Sequence, residues 1–268
     1  ILHLRAVLWL TDTGRRIRLE MNNGDHSTND RASNPLEMSL WYRFVRAVIG
    51  FVLRLLSRLE IEGLEHLPDR GPYLVAVNHL HWLDPPVLGV VLPYRVHVFA
   101  AEKCDVHWLL GPFFRSLDAI FVQRGEVDRK ALRAALEVLK EGGVLGLAPE
   151  GTRSKTGALQ RGRGGAAYMA TRVRAPVVPV VITGQREVFP SLWRLRRAKI
   201  RVVFGPPLEP PAVEGKATTD QIRAFTEEIM YHLAAMLPPQ YRGVYADVAE
   251  KRPDLVTGPA MVGAGSDE

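Results

Sequence analysis

The sequence has a single cysteine, Cys104, among 268 residues. One cysteine excludes an internal disulfide framework and is compatible with a reducing cytoplasm. No glycine-rich turn surrounds Cys104, which argues against a nucleophilic thiol. The eight histidines and this cysteine also lack the spacing of metal ligands, so we expect no metal site.

Long apolar runs are lacking as well. The first ten residues are too short to span a bilayer, and they do not read as a signal peptide with a cleavage site. Residues 21–37 are polar and rich in turn formers. We therefore expect residues 1–37 to be disordered, or to be an over-extended reading frame with translation beginning at Met21 or Met38. We expect the tail at residues 250–268 to be disordered too.

Acidic charge is in the minority. The formal net charge is +6, the pI is about 9.6, and arginine outnumbers lysine. This balance favours an anionic partner, which could be a phosphate-bearing lipid, a membrane surface or nucleic acid. No recognition-helix, RRM-type or zinc motif is present, so we expect no nucleic-acid partner.

Apolar runs alternate with amphipathic helical segments across residues 60–249. A long helix is predicted at residues 219–236, with Thr219 and Asp220 as cap candidates. This alternation predicts one α/β domain with a mostly parallel or mixed central sheet flanked by helices. The 47% hydrophobic content is enough to bury one such core. Short apolar runs predict buried strands at residues 73–77, 144–148, 177–182 and 200–204.

Residues 38–59 precede this domain and have helical periodicity. At about 100° per residue, four arginines fall within an arc of about 120° and apolar side chains fill the other side. A charged face argues against a spanning helix and for an amphipathic helix in the membrane interface. The alternative is a helix that packs its apolar face on the domain core, and the two are compatible. The arginines are Arg43, Arg46, Arg54 and Arg58.

A histidine and an aspartate lie in a tight predicted loop. His79 follows the strand at residues 73–77, and Asp84 precedes a Pro-Pro pair that suits the first turn of a helix. Asp84 is therefore a candidate N-cap. A carboxylate that orients one imidazole nitrogen lets the other nitrogen take a proton from a hydroxyl. The plainer alternative is a capping aspartate and a loop histidine without chemistry.

A second polar cluster follows the apolar run at residues 144–148. Glu150, Thr152, Arg153 and Ser154 surround Gly151 at what would be the carboxyl end of a strand. Ligands bind outside the carboxyl ends of strands in open α/β sheets. Gly151 would let backbone N–H groups approach an anion, and the arginine fork suits phosphate oxygens. A charged surface loop is the alternative.

Taken together and in this order, the two motifs resemble the phospholipid/glycerol acyltransferase family, most closely its 1-acylglycerol-3-phosphate acyltransferase branch. That family has N-H-x-x-x-x-D first and P-E-G-T-R-S third, as at residues 78–84 and 149–154 here. An apolar segment ending in arginine lies between them at residues 119–124. An apolar element with prolines follows at residues 175–182.

The resemblance implies direct acyl transfer without a covalent acyl-enzyme. His79 would be the general base that deprotonates the acceptor hydroxyl, and Asp84 would orient it. The activated oxygen would attack a thioester of acyl-CoA or acyl carrier protein, and no cofactor beyond this donor is expected. The glycerol-phosphate part of the acceptor would contact Lys103, Arg124, Glu150, Gly151, Thr152 and Arg153.

Two residues depart from the family pattern, and one segment stands outside it. His81 replaces a small polar residue, and it is either a second titrating group or a loop filler, the reading we favour. Gln123 stands where aspartate is common. Residues 183–199 mix aromatic and basic side chains, which suits either contact with anionic lipid or a loop that covers the sheet edge.

The sequence therefore predicts a peripheral enzyme on the cytoplasmic face of the membrane. It would move a fatty acyl group to the free hydroxyl of 1-acylglycerol 3-phosphate, giving phosphatidic acid for phospholipid biosynthesis. Its partners would be the lysophospholipid, the acyl donor and the membrane surface. The alternatives are acylation of another lyso-lipid or glycolipid, thioester hydrolysis, and a non-catalytic lipid-binding protein.

Overall fold

A computed structural model describes residues 36–102, 114–115, 117–122, 128–194, 196–213 and 215–256. Two predicted substrate-binding residues, Lys103 and Arg124, lie outside the described residues. Cys104 and Gln123 lie outside them as well, and so do residues 1–35 and 257–268.

A seven-stranded sheet forms the centre of the fold. Its strands lie in the order β1-β7-β6-β2-β5-β3-β4. Only β6 and β7 pair antiparallel, and the other neighbours are parallel. The predicted α/β fold with a mostly parallel or mixed sheet is therefore confirmed. The strands are β1 Ser57–Glu62, β2 Tyr73–Val77, β3 His97–Ala101, β4 Ile120–Val122, β5 Val144–Leu147, β6 Val177–Thr183 and β7 Ala198–Phe204.

The helices form two layers, one on each face of the sheet. Strand β2 is buried at every position, because both of its faces are covered. Tyr73 and Val75 face the layer of α1, α2 and α5, whereas Leu74 and Ala76 face the layer of α3, α4 and α6. The helices are α1 Leu40–Leu56, α2 Asp84–Val91, α3 Arg129–Lys140, α4 Gly165–Val173, α5 Val188–Trp193, α6 Thr219–Met236, α7 Val248–Lys251 and α8 Pro253–Val256.

The long helix α6 has the predicted bounds but a different cap. The side chain of Thr218, not Thr219 or Asp220, accepts a hydrogen bond from the backbone N–H of Gln221 at 3.2 Å. The Gln221 side chain in turn accepts from the backbone N–H of Thr218 at 2.9 Å. This reciprocal pair is a capping box. It satisfies two donors, which a cap one residue later would leave without these partners.

Helix α1 is shorter than predicted. It ends at Leu56 instead of residue 59, and Ser57 begins strand β1. The cause is tertiary, because β7 offers a parallel partner that pairs Ser57 with Ala198 and Glu62 with Val203. Local helical periodicity gives way to inter-strand hydrogen bonds at this point.

Helix α1 both packs on the domain and exposes a second apolar face. Tyr42, Val45 and Leu53 are buried, and Arg46 donates to the carbonyl of Val90 at 2.8 and 3.2 Å. Arg46 therefore faces the domain, and Arg58 lies in β1, so the predicted face of four arginines does not form. An exposed apolar stripe consists of Leu40, Trp41, Phe44, Val48, Phe51, Val52 and Leu55.

The segment predicted as a disordered tail begins with ordered structure. Helices α7 and α8 extend the described chain to Val256. Arg252 forms ion pairs with Glu228 and, at 2.8 Å, with Asp254, which holds this segment against α6. No helix among the described residues is both long enough and apolar enough to cross a membrane.

Candidate active site

The loop after β2 is anchored to the neighbouring strand β6. The side-chain amide of Asn78 donates to the carbonyl of Ile182 at 2.9 Å and accepts from the N–H of Ile182 at 2.7 Å. Asn78 is buried, and its side-chain amide continues the hydrogen bonding between β2 and β6 past the end of β2. His79 is thereby held at the carboxyl end of the sheet, where α/β proteins bind ligands.

His79 and Asp84 lie in direct contact, which the loop between β2 and α2 makes possible. His79 Nδ1 is 3.0 Å from Asp84 Oδ2, and the carboxylate is 1% exposed. An ionised carboxylate only accepts hydrogen bonds, so Nδ1 is the protonated nitrogen of the neutral imidazole. Nε2 then has a lone pair that can take a proton.

Asp84 is not the N-cap of α2. The helix begins at Asp84 itself, and the residue before it, Leu83, makes no side-chain cap. A capping aspartate accepts from the N–H of the second or third helical residue. Pro86 has no N–H, and the N–H of Val87 donates to the carbonyl of Leu83 at 2.9 Å. The Asp84 carboxylate instead turns back toward the loop.

Asp84 accepts two further hydrogen bonds, neither of which the sequence predicted. The backbone N–H of His81 donates to Oδ2 at 2.8 Å, and the side-chain amide of Gln185 donates to Oδ1 at 2.7 Å. The same Gln185 nitrogen also donates to the carbonyl of Ile182 at 3.1 Å. The sequence gives one indication of Gln185, which is a polar residue just after β6, the strand that lies beside β2. These donors fix the position of the carboxylate beside His79.

Glu150 ties the two predicted motifs together. Its two carboxylate oxygens accept from the backbone N–H groups of His79 at 3.0 Å and Gln160 at 2.9 Å. Burial raises the pKa of Glu150, and the hydrogen bonds partly offset that effect. The geometry makes Glu150 a support for the His79 loop. Its predicted contact with the acceptor stays a prediction.

The loop after β5 has a left-handed backbone at residue 151, which favours glycine, and it passes close to the side chain of Arg163. Gly151 has φ of 70°, and a Cβ there would lie 2.8 Å from Cδ of Arg163. The N–H of Ser154 donates to the carbonyl of His79 at 2.8 Å. The hydroxyl of Ser154 donates to the carbonyl of Ala158 at 2.7 Å. The hydrogen bond between Ser154 and His79 therefore joins the two motifs.

A cavity of about 530 Å³ lies beside the histidine loop. Thr152 and Arg153, two of the predicted substrate-binding residues, line it, and so do Lys155 and Arg186, which the sequence did not point to. Arg186 packs over Gly157, where a Cβ would lie 2.1 Å from its Nη1. Three cationic side chains around one cavity suit a phosphate or another anionic group.

His81 lines the same cavity but is tied to its own loop. Its Nδ1 accepts from the N–H of Leu83 at 3.4 Å, and its ring lies 5.6 Å from that of Trp82. Burial lowers the pKa of His81, so the imidazole is neutral near pH 7. This geometry supports the loop-filler interpretation. In the described part of the chain, no three His, Cys, Asp or Glu side chains are grouped so that they could hold a metal ion.

The chain is similar in sequence to known acyltransferases. Residues 58–183 match the acyltransferase family model. A relative in Bacillus subtilis, 1-acyl-sn-glycerol-3-phosphate acyltransferase, is 28% identical over 193 residues, which cover 70% of this chain and 92% of the relative. The chain therefore contains an acyltransferase-family domain at residues 58–183.

Other acyltransferases are similar to this chain over part of its length. The human 1-acyl-sn-glycerol-3-phosphate acyltransferase alpha is 25% identical over 194 residues, which cover 66% of this chain and 62% of the human protein. The crystal structure of the 1-acyl-sn-glycerophosphate (LPA) acyltransferase PlsC from Thermotoga maritima matches with a TM-score of 0.57 at 24% identity and covers 79% of each chain. This likeness shows a shared fold.

This acyltransferase therefore works with an acyl donor and an acyl acceptor. The residues with geometry for proton transfer are His79 and Asp84, and those with charge for an anion are Arg153, Lys155 and Arg186. Their individual roles stay predictions, as do those of Lys103 and Arg124.

Proposed function

We propose that the protein transfers a fatty acyl group from acyl-CoA or acyl carrier protein to the free hydroxyl of 1-acylglycerol 3-phosphate, giving phosphatidic acid. The observation that carries this proposal is the 3.0 Å His79–Asp84 pair beside a cavity with three cationic side chains. The relatives from Bacillus subtilis and human, named for this activity, support it.

The proposed reaction needs one proton carrier. His79 Nε2 takes the proton of the acceptor hydroxyl while the oxygen attacks the thioester carbonyl carbon. The C–S bond of the tetrahedral intermediate then breaks, and the imidazolium returns the proton to the leaving thiolate. Asp84 stabilises the imidazolium through Nδ1. The products are the new ester and a free thiol, so protons and electrons balance.

The acceptor phosphate binds in the cationic cavity in this proposal. Arg153 supplies a bidentate fork, and the hydroxyl of Thr152 supplies a further hydrogen bond. Lys103 and Arg124 join them according to the family resemblance. Glu150 and Gly151 shape the loop that presents these groups.

We place the enzyme at the membrane surface, on the cytoplasmic face. The exposed apolar stripe of α1 lies on one side of that helix, and Arg43 and Arg54 flank it. An amphipathic helix with such a stripe partitions into the boundary between headgroups and acyl chains. A lysophospholipid acceptor is itself held there, so surface binding brings enzyme and acceptor together.

Thiol release from palmitoyl-CoA tests the reaction. Wild type and His79→Ala are compared with and without 1-acylglycerol 3-phosphate in detergent, and the lipid product is identified. We expect acceptor-dependent release by wild type alone, with a loss of about 10²–10⁴-fold in His79→Ala. Unchanged thermal stability of the variant serves as the folding control.

Other outcomes point elsewhere. Steady thiol release without acceptor would indicate a thioesterase. Product only with another lyso-lipid or glycolipid would change the acceptor. No thiol release and no lipid product with any acceptor, and with acyl carrier protein donors as well, would favour a non-catalytic lipid-binding protein.

A further inference from the structure

The exposed large apolar side chains are concentrated on one side of the sheet. Of twelve such side chains among the described residues, ten belong to the layer of α1, α2 and α5 or to the loop before α2. The other two, Tyr168 and Val244, lie on the opposite layer. Large apolar patches on a monomer mark an interaction surface.

Three of the ten form an aromatic patch next to the candidate active site. Trp82 is 51% exposed and stacks on Phe189, with 6.0 Å between ring centroids. Trp193 is 91% exposed and follows Phe189 by four residues on α5, so both point to one side of that helix. Trp82 also adjoins His81. The aromatic patch therefore borders the cavity.

The aromatic patch continues toward the stripe of α1. Arg197, just after α5, donates to the carbonyl of Ser57 at 2.7 Å and also to the carbonyl of Arg54. These carbonyls lie at the carboxyl end of α1. The segment that follows the aromatic patch therefore contacts the end of the helix that carries the stripe.

The charge around the aromatic patch is positive. Residues 184–199 include one acidic residue, Glu187, against five basic ones. Lys199 pairs with Glu60 at 2.9 Å and Arg197 binds the end of α1, whereas Arg194 and Arg196 are exposed beside Trp193. Exposed aromatic rings favour the headgroup level of a bilayer, and neighbouring arginines favour anionic headgroups.

We propose that the aromatic patch of Trp82, Phe189 and Trp193 is a second contact with an anionic lipid bilayer, in addition to α1. This contact seats the mouth of the cavity at the headgroup level, so that a lipid acceptor reaches His79 without leaving the bilayer. The seating of the acceptor rests on the proposed function. The bilayer contact itself rests on exposure and charge alone.

Vesicle co-sedimentation without substrate tests the contact. Phosphatidylcholine vesicles with and without phosphatidylglycerol are mixed with wild type, with Phe189→Ala/Trp193→Ala, and with the control Tyr168→Ala/Val244→Ala. The control removes two exposed apolar side chains from the opposite layer. We expect the α5 variant to bind phosphatidylglycerol vesicles about 10-fold more weakly or worse, and the control to bind as wild type does.

Equal binding by the α5 variant, the control and wild type would overturn the proposal. Equal binding of wild type to vesicles with and without phosphatidylglycerol would overturn it too. Soluble aggregates or a stable dimer lost only in the α5 variant would overturn it in favour of a protein partner. Binding does not depend on turnover, so a failed acyltransferase assay leaves this test intact. Activity on detergent-dispersed acceptor should survive in the α5 variant, which separates bilayer contact from catalysis.

Discussion

The Gln185 amide donates a 2.7 Å hydrogen bond to the Asp84 carboxylate, although the two residues are 101 positions apart in the chain. Gln185 and Asn78 both donate to the carbonyl of Ile182. The carboxyl end of β6 therefore positions both catalytic candidates. It holds the His79 loop through Asn78 and the Asp84 carboxylate through Gln185. In the proposed reaction, Gln185 is a positioning residue that acts through Asp84.

Gln185→Met should lower kcat about 10-fold or more and leave KM for both substrates unchanged. Methionine keeps the length of the side chain but cannot donate, and a hydrogen bond to a charged group contributes about 1.5–3 kcal/mol. Steady-state kinetics with separate KM values measure the effect. In an Asp84→Asn background the same change should cost little, because the two residues act as a unit. If the losses of kcat from Gln185→Met and Asp84→Asn instead add, and Tm falls, then the role of Gln185 is merely structural.

Glu150→Gln should change how stability depends on pH. Burial raises the pKa of Glu150 above its ordinary 4.5, so the folded protein holds this proton to higher pH than the unfolded chain does. This contribution to the free energy of unfolding is full below the ordinary pKa and is lost as pH rises through the raised one. The Tm of Glu150→Gln minus that of wild type should therefore increase with pH across this window. A difference that is flat or falls would contradict the raised pKa.

Gly151→Ala should destabilise the protein by about 1–2 kcal/mol, the cost of a left-handed backbone for a residue with a Cβ. The close approach to Arg163 adds to this cost. Gly89→Ala is the matched control. Gly89 lies inside α2, where a Cβ would meet nothing within 4 Å, so alanine there should stabilise by about 0.5–1 kcal/mol. Denaturant unfolding measures both, and equal effects at the two sites would contradict this reasoning.

Arg153→Met and Arg186→Met should each raise KM for 1-acylglycerol 3-phosphate by about 10-fold or more, because each loses a charge-assisted contact with phosphate. KM for a neutral monoacylglycerol should change little. Arg172→Met on α4 removes an exposed arginine away from the cavity and serves as the control. Equal effects of Arg153→Met and Arg186→Met on both acceptors would place the phosphate elsewhere.

Local sequence determined the elements whose signals are self-contained. Strand β2 has a short apolar run bounded by turn residues, and α6 has an amphipathic period with a clear end, so their predicted bounds agree with the structure. The contact between His79 and Asp84 follows from the short loop, residues 78–83, between a strand and a helix. The second cluster, around Gly151, could also be found from the sequence, because its motif occupies the consecutive residues 149–154.

Only the tertiary structure decided the relationships between distant segments. Residues 57–59 continue a helical pattern, yet they form β1 because β7 lies beside them. The apolar residues of α1 divide between a buried and an exposed face because the domain covers one side only. Glu150 reaches the backbone of His79 across 71 residues, and Gln185 reaches Asp84, because neighbouring strands end at one edge of the sheet. Strand order has no local sequence signal, so these partners become visible only in the folded chain.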